Sequence, residues 1–321
     1  MPRLLPSASE IDEAAARLRG VAVRTPLRRS EALSSLAEGD VYLKLESEQI
    51  TGSFKVRGAY NALSLLTLDE RARGIVASSA GNHGLGVAEA AQRLGIEATI
   101  FVPSNAPAVK KEGIAKRGAR VLDEAFDYDD AMVRARAHAA ETGKTFVHPC
   151  LGVPLLAGQG TVATEVLEQL PAVQTMLVCV GGGGLLGGMG AYVLSMAPHV
   201  HVVGVQSERT NAMSLAIEAG HVVEIENLPT LADGLAGQID DDALAIGQAT
   251  LESIMTVTED EIASAIAWLW LAEGIRAEGS GAVCVAALRS GRLRHLATPI
   301  VAIVSGGNID ETRLQGILAK A

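Results

Sequence analysis

Large aromatic side chains are scarce: Phe, Trp and Tyr together make up 3% of the 321 residues, while 48% are hydrophobic and 34 are glycine. A core so poor in rings must be filled by Ala, Val, Leu and Ile packed close to backbone, as in layered α/β proteins. The chain is long enough for two domains, or for one large domain with an insertion. Cations are in deficit too, with 27 Lys and Arg against 37 Asp and Glu, a net charge of −10. This excludes the clustered positive charge that a nucleic-acid backbone or an anionic membrane surface rewards, so neither is expected as a partner. Only three cysteines are present, Cys150, Cys179 and Cys284, far apart and each in an apolar context. Neither a disulfide framework nor a metal site is suggested, and a reducing cytoplasm fits. Gly clusters and charges interrupt every apolar run before it is long enough to span a membrane. The opening stretch MPRLLPSASEIDEAAARLRG lacks the apolar segment of a leader and reads as mature protein, with Ser7 or Ser9 capping a helix ahead of Glu10 and Asp12.

What the chain does have is alternation. Short β-rich runs such as VYLKLE from 41, GIVAS from 74, EATIFV from 97, TMLVCVG from 175, HVVGVQ from 201 and PIVAIVSG from 299 are separated by Ala-rich helical stretches. Helices expected at 83–94, 106–117, 127–142 and 154–169 are long enough for right-handed crossovers. The pattern predicts an α/β protein with largely parallel, twisted sheets and helices on both faces. No Pro/Ser-rich linker occurs, which favours an insertion over two beads on a string. The expected division is a large domain from 1–66 and 152–321 and a small inserted α/β domain from 67–151. The acidic runs at 127–130 and 240–242 lack the glycine and ligand spacing of a calcium loop and read as helix starts.

In open α/β sheets, ligands sit beyond the carboxyl ends of strands, at loops that lead into helices. Four stretches qualify: TGSFK (51–55), SSAGNHG (78–84), VGGGGLLGG (180–188) and SGGN (305–308). Gly181 to Gly184 follow an apolar strand and precede a helix, so bare N–H groups and the positive end of a helix dipole converge on an anion site. Taken alone, these glycines also suit mere close helix–sheet packing. A P-loop needs Lys-Ser/Thr next, where Leu185 and Leu186 stand, and a dinucleotide site wants an acid at the end of the following strand, where Gln206 stands. A lone phosphate group is the better fit. In SSAGNHG, hydroxyls, the Asn82 amide and open N–H groups near Gly81 form a cradle for a small carboxylate.

Lys55 sits oddly. The helix it begins carries a polar stripe of Arg57, Asn61 and Ser64, and Lys55 lies off that stripe, on the face of Ala59, Ala62 and Leu66 and in the first turn, where the dipole disfavours positive charge. Such a site favours the neutral amine and so a Schiff base. An anion turn, a carboxylate cradle and this lysine together define pyridoxal 5′-phosphate chemistry, with an amino acid as substrate.

In order, TGSFKVRGA, SAGNHG, VGGGGLLGG, TVTEDEI and SGGN resemble the fold-type II (tryptophan synthase β-like) pyridoxal-phosphate enzymes, and within them the threonine dehydratase and serine racemase group. The resemblance covers nearly the whole chain. It implies that Lys55 is the catalytic Schiff-base lysine, that Phe54 packs on the cofactor ring, and that Asn82 contacts the ring hydroxyl. It implies further that Gly181, Gly182, Gly183, Gly184 and Leu185 hold the phosphate, that Ser305 meets the pyridine nitrogen, and that Ser79, Ala80, Gly81, Asn82 and His83 form the substrate loop. Glu278 matches a family position near the cofactor, without an assigned role.

A neutral serine at the ring nitrogen makes the cofactor a weaker electron sink and favours elimination. The implied activity is loss of water from a β-hydroxy amino acid, L-threonine or L-serine by default, giving a 2-oxo acid and ammonia. Dehydration of 3-hydroxyaspartate, phenylserine or a hydroxyectoine-derived amino acid, or serine racemase-like activity, are the alternatives. Racemases of the group carry a serine where Ala80 stands, which counts against racemisation. The divalent-metal site of parts of the group uses acids where Gln206 and Ala212 stand, so no metal is expected. The chain ends soon after SGGN, which suggests the short catabolic type without a regulatory domain, a homodimer or homotetramer of the cytoplasm.

Overall fold

The computed structural model describes residues 3–106, 108–226 and 228–321; position 107, inside the helix expected at 106–117, lies outside them. The described strands are β1 (Leu27–Arg29), β2 (Val41–Lys44), β3 (Ile75–Ser78), β4 (Ala98–Pro103), β5 (Arg120–Ala125), β6 (Thr145–Phe146), β7 (Thr175–Cys179), β8 (His201–Ser207), β9 (Ser253–Val257) and β10 (Ile300–Ile303). They form a six-stranded sheet, ordered β1-β2-β10-β7-β8-β9, and a four-stranded sheet, ordered β5-β4-β3-β6. Every pairing is parallel except that of β1 with β2. The central strands β3, β7 and β10 are buried along their whole length and unbroken by charge, as parallel strands covered on both faces must be.

Helix ends follow local chemistry. Ser7 and Glu10 form a capping box at Ala8–Arg17, Asp127 caps Tyr128–Thr142 and Asp240 caps Asp241–Thr250. Two helices that matter for function break this habit: Asn82–Leu94 and Gly184–Met196 begin at glycines with no side-chain cap.

Close packing at glycines sets the distance between the layers. Helix Val153–Gln169 lies between helices Lys55–Ser64 and Gly184–Met196. A β-carbon at Gly158 would fall 2.4 Å from the Arg57 carbonyl, and one at Gly188 would fall 2.2 Å from the Leu156 carbonyl. Only glycine lets these backbones meet, and the stack ties the helix of Lys55 to the helix that follows the glycine turn. Ala59 and Leu63 of the first helix join the core beneath the small sheet, with Ile75, Ala77 and Val87.

The polar stripe of the Lys55 helix does not face water. Arg57 and Asn61 are 1% and 0% exposed, whereas Lys55 is only half-buried. Arg57 donates to Glu46 through Nε and Nη2, both at 2.8 Å, and to Glu165 through Nη1 at 2.7 Å. Lys44, also buried, completes the network through Glu165 and the Thr25 carbonyl. Burial alone raises the Glu46 carboxyl, but Arg57 overrides it and holds the group below its usual range. Arg57 is turned inward because Glu46 and the sequence-distant Glu165 await it there, and Asn61 because it meets Arg17 and the Pro154 carbonyl.

Candidate active site

Lys55 opens its helix directly after Phe54, and its Nζ donates to the Pro149 carbonyl at 3.0 Å, 5.3 Å from the centre of the Phe54 ring. The next residue, Cys150, touches the glycine turn: a β-carbon at Gly182 would lie 2.9 Å from its Sγ, and one at Gly184 would lie 3.1 Å from its backbone. One bend of chain thus carries the lysine contact and a wall of the anion cradle. Gly181 presses on the Leu235 backbone, and Gly183, at φ +82°, takes the left-handed turn that starts the uncapped helix. Leu185 is buried in that first turn.

Ser305 follows β10 and joins the same place, its carbonyl accepting from the Phe54 N–H at 3.2 Å. Its hydroxyl lies 3.4 Å from the Ser280 carbonyl and beside the Cys179 thiol, which burial pushes up to about 11. No carboxylate or cation partners it among the described residues.

The SSAGNHG loop leaves β3. The Ser79 hydroxyl accepts from the Gly81 N–H at 3.1 Å, and helix Asn82–Leu94 starts without a side-chain cap. Gly81 itself is open, with nothing nearer its β-position than Ser79 Oγ at 3.9 Å, and Ala80 packs its methyl toward the core of the small sheet. Asn82 is held from two sides: its Nδ2 donates to Glu278, and its Oδ1 accepts from Asn308 at 2.7 Å. His83 departs from its neighbours. Its imidazole is buried, with Nε2 against the Val147 carbonyl at 3.2 Å, and burial, seconded by Lys55, pushes it down to about 3.

Two site residues carried no role on sequence grounds alone. Glu278 is buried against Gly306, and burial, then Asp233, pushes it up to about 7. Asn308, last residue of SGGN, links Asn82 to the Thr51 carbonyl at 2.8 Å. Neither pairing has a local signal, since 196 residues separate Asn82 from Glu278 and 226 separate it from Asn308.

The sequence profile of a family described as "Pyridoxal-phosphate dependent enzyme" matches residues 18–306. The chain belongs to that family. L-threonine ammonia-lyase of Thermotoga maritima is 42% identical over 312 residues, covering 97% of this chain and 78% of that protein. The catabolic L-threonine dehydratase TdcB of Staphylococcus aureus is 38% identical over 317 residues, covering 97% and 92%. Among solved structures, maize serine racemase superposes with a TM-score of 0.93 at 29% identity, covering 98% of each chain.

The residues present suit the family's cofactor. An uncapped glycine helix start, bare of side chains because one at Gly182 or Gly184 would strike Cys150, answers a phosphate. A primary amine answers an aldehyde, the Phe54 ring offers a flat apolar surface, and the Ser305 hydroxyl is a neutral partner for a ring nitrogen.

Proposed function

We propose that the chain is a dehydratase of the threonine ammonia-lyase type, removing water from a β-hydroxy amino acid, L-threonine or L-serine, to yield a 2-oxo acid and ammonia. The observation that carries this reading is the convergence of the Lys55 amine, the Pro149–Cys150 bend and the glycine turn, with the neutral Ser305 beside them. The likeness to the Thermotoga and Staphylococcus lyases over nearly the whole chain supports it.

In this reading the N–H groups from Gly181 to Leu185 hold the cofactor phosphate, Phe54 flanks its ring, and Ser305 and Asn82 meet the ring nitrogen and ring hydroxyl. Bound pyridoxal phosphate supplies an aldehyde for the amino groups of Lys55 and of the substrate, and a ring that acidifies the substrate Cα–H. The Ser79 hydroxyl, the open space at Gly81 and the uncapped N–H groups of Asn82 and His83 at the helix start receive the substrate carboxylate, with His83 acting through its backbone. Lys55 Nζ then takes the Cα proton, the β-hydroxyl takes up a proton and leaves as water so that the net loss is one H₂O, and the released enamine adds one water to give the 2-oxo acid and ammonia. Hydroxyl versus methyl-bearing hydroxyl, serine versus threonine, is a choice worth only about 1–3 kcal/mol.

The serine racemase likeness supports a second reading, against which stands Ala80, a side chain with no proton to give. The four-stranded sheet, drawn from Ile75–Phe146, supports a small unit of 67–151 inserted between 1–66 and 152–321. We infer that the enzyme works as a homo-oligomer in the cytoplasm; three free cysteines and the bacterial catabolic relatives support the compartment. No helix of the described residues is long and apolar enough to cross a membrane.

The test is a purified enzyme offered a panel of β-hydroxy amino acids, with 2-oxo acid release, cofactor absorbance and product chirality measured for wild type and Lys55→Ala. Wild type should be yellow and release 2-oxobutyrate or pyruvate. Lys55→Ala should lose at least ~10²–10⁴ of turnover, the usual contribution of a positioned base. A wild type that no pyridoxal phosphate colours sinks the reading.

A further inference from the structure

Gln206, near the end of β8, has no exposed surface and uses its whole amide. Nε2 donates to the carbonyls of Val180, at 3.0 Å, and Thr210, at 2.7 Å, while Oε1 accepts from the Ser214 N–H at 2.9 Å. The partners decide which end is which, since only an NH₂ group satisfies two carbonyls at once.

Two of these partners lead to the glycine turn. Val180 immediately precedes Gly181, and in a trans peptide the N–H points opposite to the C=O. Pinning the Val180 carbonyl therefore sets the direction of the first N–H of the turn. Ser214 lies in the first turn of helix Ala212–Ala219, whose cap residue Asn211 makes no side-chain bond, so Gln206 serves as its remote cap. Met213 of that helix reaches the turn, its Cε 3.9 Å from where a β-carbon of Gly183 would lie. Thr210 closes the loop between strand and helix, and its hydroxyl is buried without a partner.

We propose that Gln206 is a positioning residue for the phosphate-binding turn, its amide doing by hydrogen bonding what an all-oxygen site in this place would need a bound cation to do. The proposal rests on the assignment of the cofactor phosphate to Gly181–Gly184. A carboxylate at 206 would face two carbonyl oxygens with no proton to offer them. Only protonation or a hard cation relieves that repulsion, and a carboxylate and two carbonyls are oxygen donors of the kind Mg²⁺ and Ca²⁺ accept. Gln206→Glu should thus convert a metal-independent turn into a cation-dependent one.

The test compares holoenzymes of wild type, Gln206→Met and Gln206→Glu. Dissociation constants for pyridoxal phosphate and for phosphate-free pyridoxal are read from absorbance after dialysis, and melting temperature is measured in chelator and in millimolar MgCl₂ or CaCl₂. Both variants should bind pyridoxal phosphate ~10-fold or more weakly in chelator, since two buried carbonyls lose their donor, with pyridoxal affinity unchanged. The Glu variant alone should regain affinity and melting temperature with either cation, and wild type should respond to neither. Variants that keep pyridoxal phosphate as tightly as wild type in chelator overturn the proposal. So does a loss shared equally by pyridoxal, or a Glu variant that no cation restores. A wild type with no preference for the phosphorylated form overturns instead the reading of the turn itself. Should Gln206→Met fail to fold, the Glu variant with and without cation decides alone.

Discussion

Glu278 accepts a hydrogen bond from the Asn82 amide while its carboxyl lies in the space that a side chain at Gly306 would fill. An acid buried there strains against its own charge, and burial, with Asp233 nearby, pushes it from an ordinary 4.5 up to about 7. Between those values the folded chain holds a proton that the unfolded chain has released, so stability falls as pH rises through the window. The contribution is roughly 3 kcal/mol. Glu278→Gln keeps an acceptor for Asn82 and cannot ionise. In urea unfolding, the stability of Glu278→Gln relative to wild type should rise from pH about 5 to about 8; parallel curves for the two proteins would remove the assignment.

Arg57 makes five hydrogen bonds in the buried network, two to Glu46 and one each to Glu165, Thr161 and the Val23 carbonyl. Removing the guanidinium leaves Glu46, with no exposed surface, short of its strongest partner. Arg57→Met should cost about 3–5 kcal/mol by chemical denaturation. Arg57→Lys should recover only part, because an ammonium has three donors and no planar fork. A double variant, Arg57→Met with Glu46→Leu, should be more stable than Arg57→Met alone, and equal stabilities would show that the pair is not the source of the loss.

These residues mark where sequence legibility ends. The strands and crossover helices were readable because burial on both faces dictates unbroken apolar runs and because Ser, Thr and Asp announce helix starts. The glycine turn was readable because glycine is itself the requirement at Gly183, Gly182 and Gly184. The inward stripe of Arg57 and Asn61 was not, since its direction is set by Glu46 and Glu165 on Arg57 and by Arg17 and the Pro154 carbonyl on Asn61, and no window around Lys55 contains Glu165 or Pro154. The same holds for His83, whose ring is claimed by the Val147 carbonyl 64 residues away. The strand Leu27–Arg29 is three residues with no alternation to detect. Local chemistry announced the site's turns; long-range pairing decided what supports them.

Ala80 stands between the Ser79 hydroxyl and the open Gly81, half-buried and without a transferable proton. If it occupies the face opposite Lys55, as the resemblance implies, a hydroxyl there supplies the missing acid for protonating Cα from the other side. Ala80→Ser should increase D-serine formed from L-serine relative to pyruvate released, as measured by chiral chromatography. An unchanged ratio in a variant that still eliminates water would mean that position 80 does not face the reacting carbon.

Cys150 and Gly182 supply the sharpest packing test, because they couple the Pro149 contact of Lys55 to the anion cradle. A methyl at Gly182 would lie 2.9 Å from Cys150 Sγ and 3.1 Å from its Cβ, so either the turn or the bend must move. Overpacking of this kind typically costs about 1–3 kcal/mol. Because the clash lies in the cradle, the cost should appear first as weaker retention of pyridoxal phosphate in Gly182→Ala, with far-ultraviolet circular dichroism unchanged. Adding Cys150→Gly removes both opposing atoms. The double variant should therefore bind the cofactor more tightly than Gly182→Ala alone, a non-additivity that appears only when two residues share a contact. Additive losses would separate the bend from the turn, and with it the structural link between the lysine and the cradle.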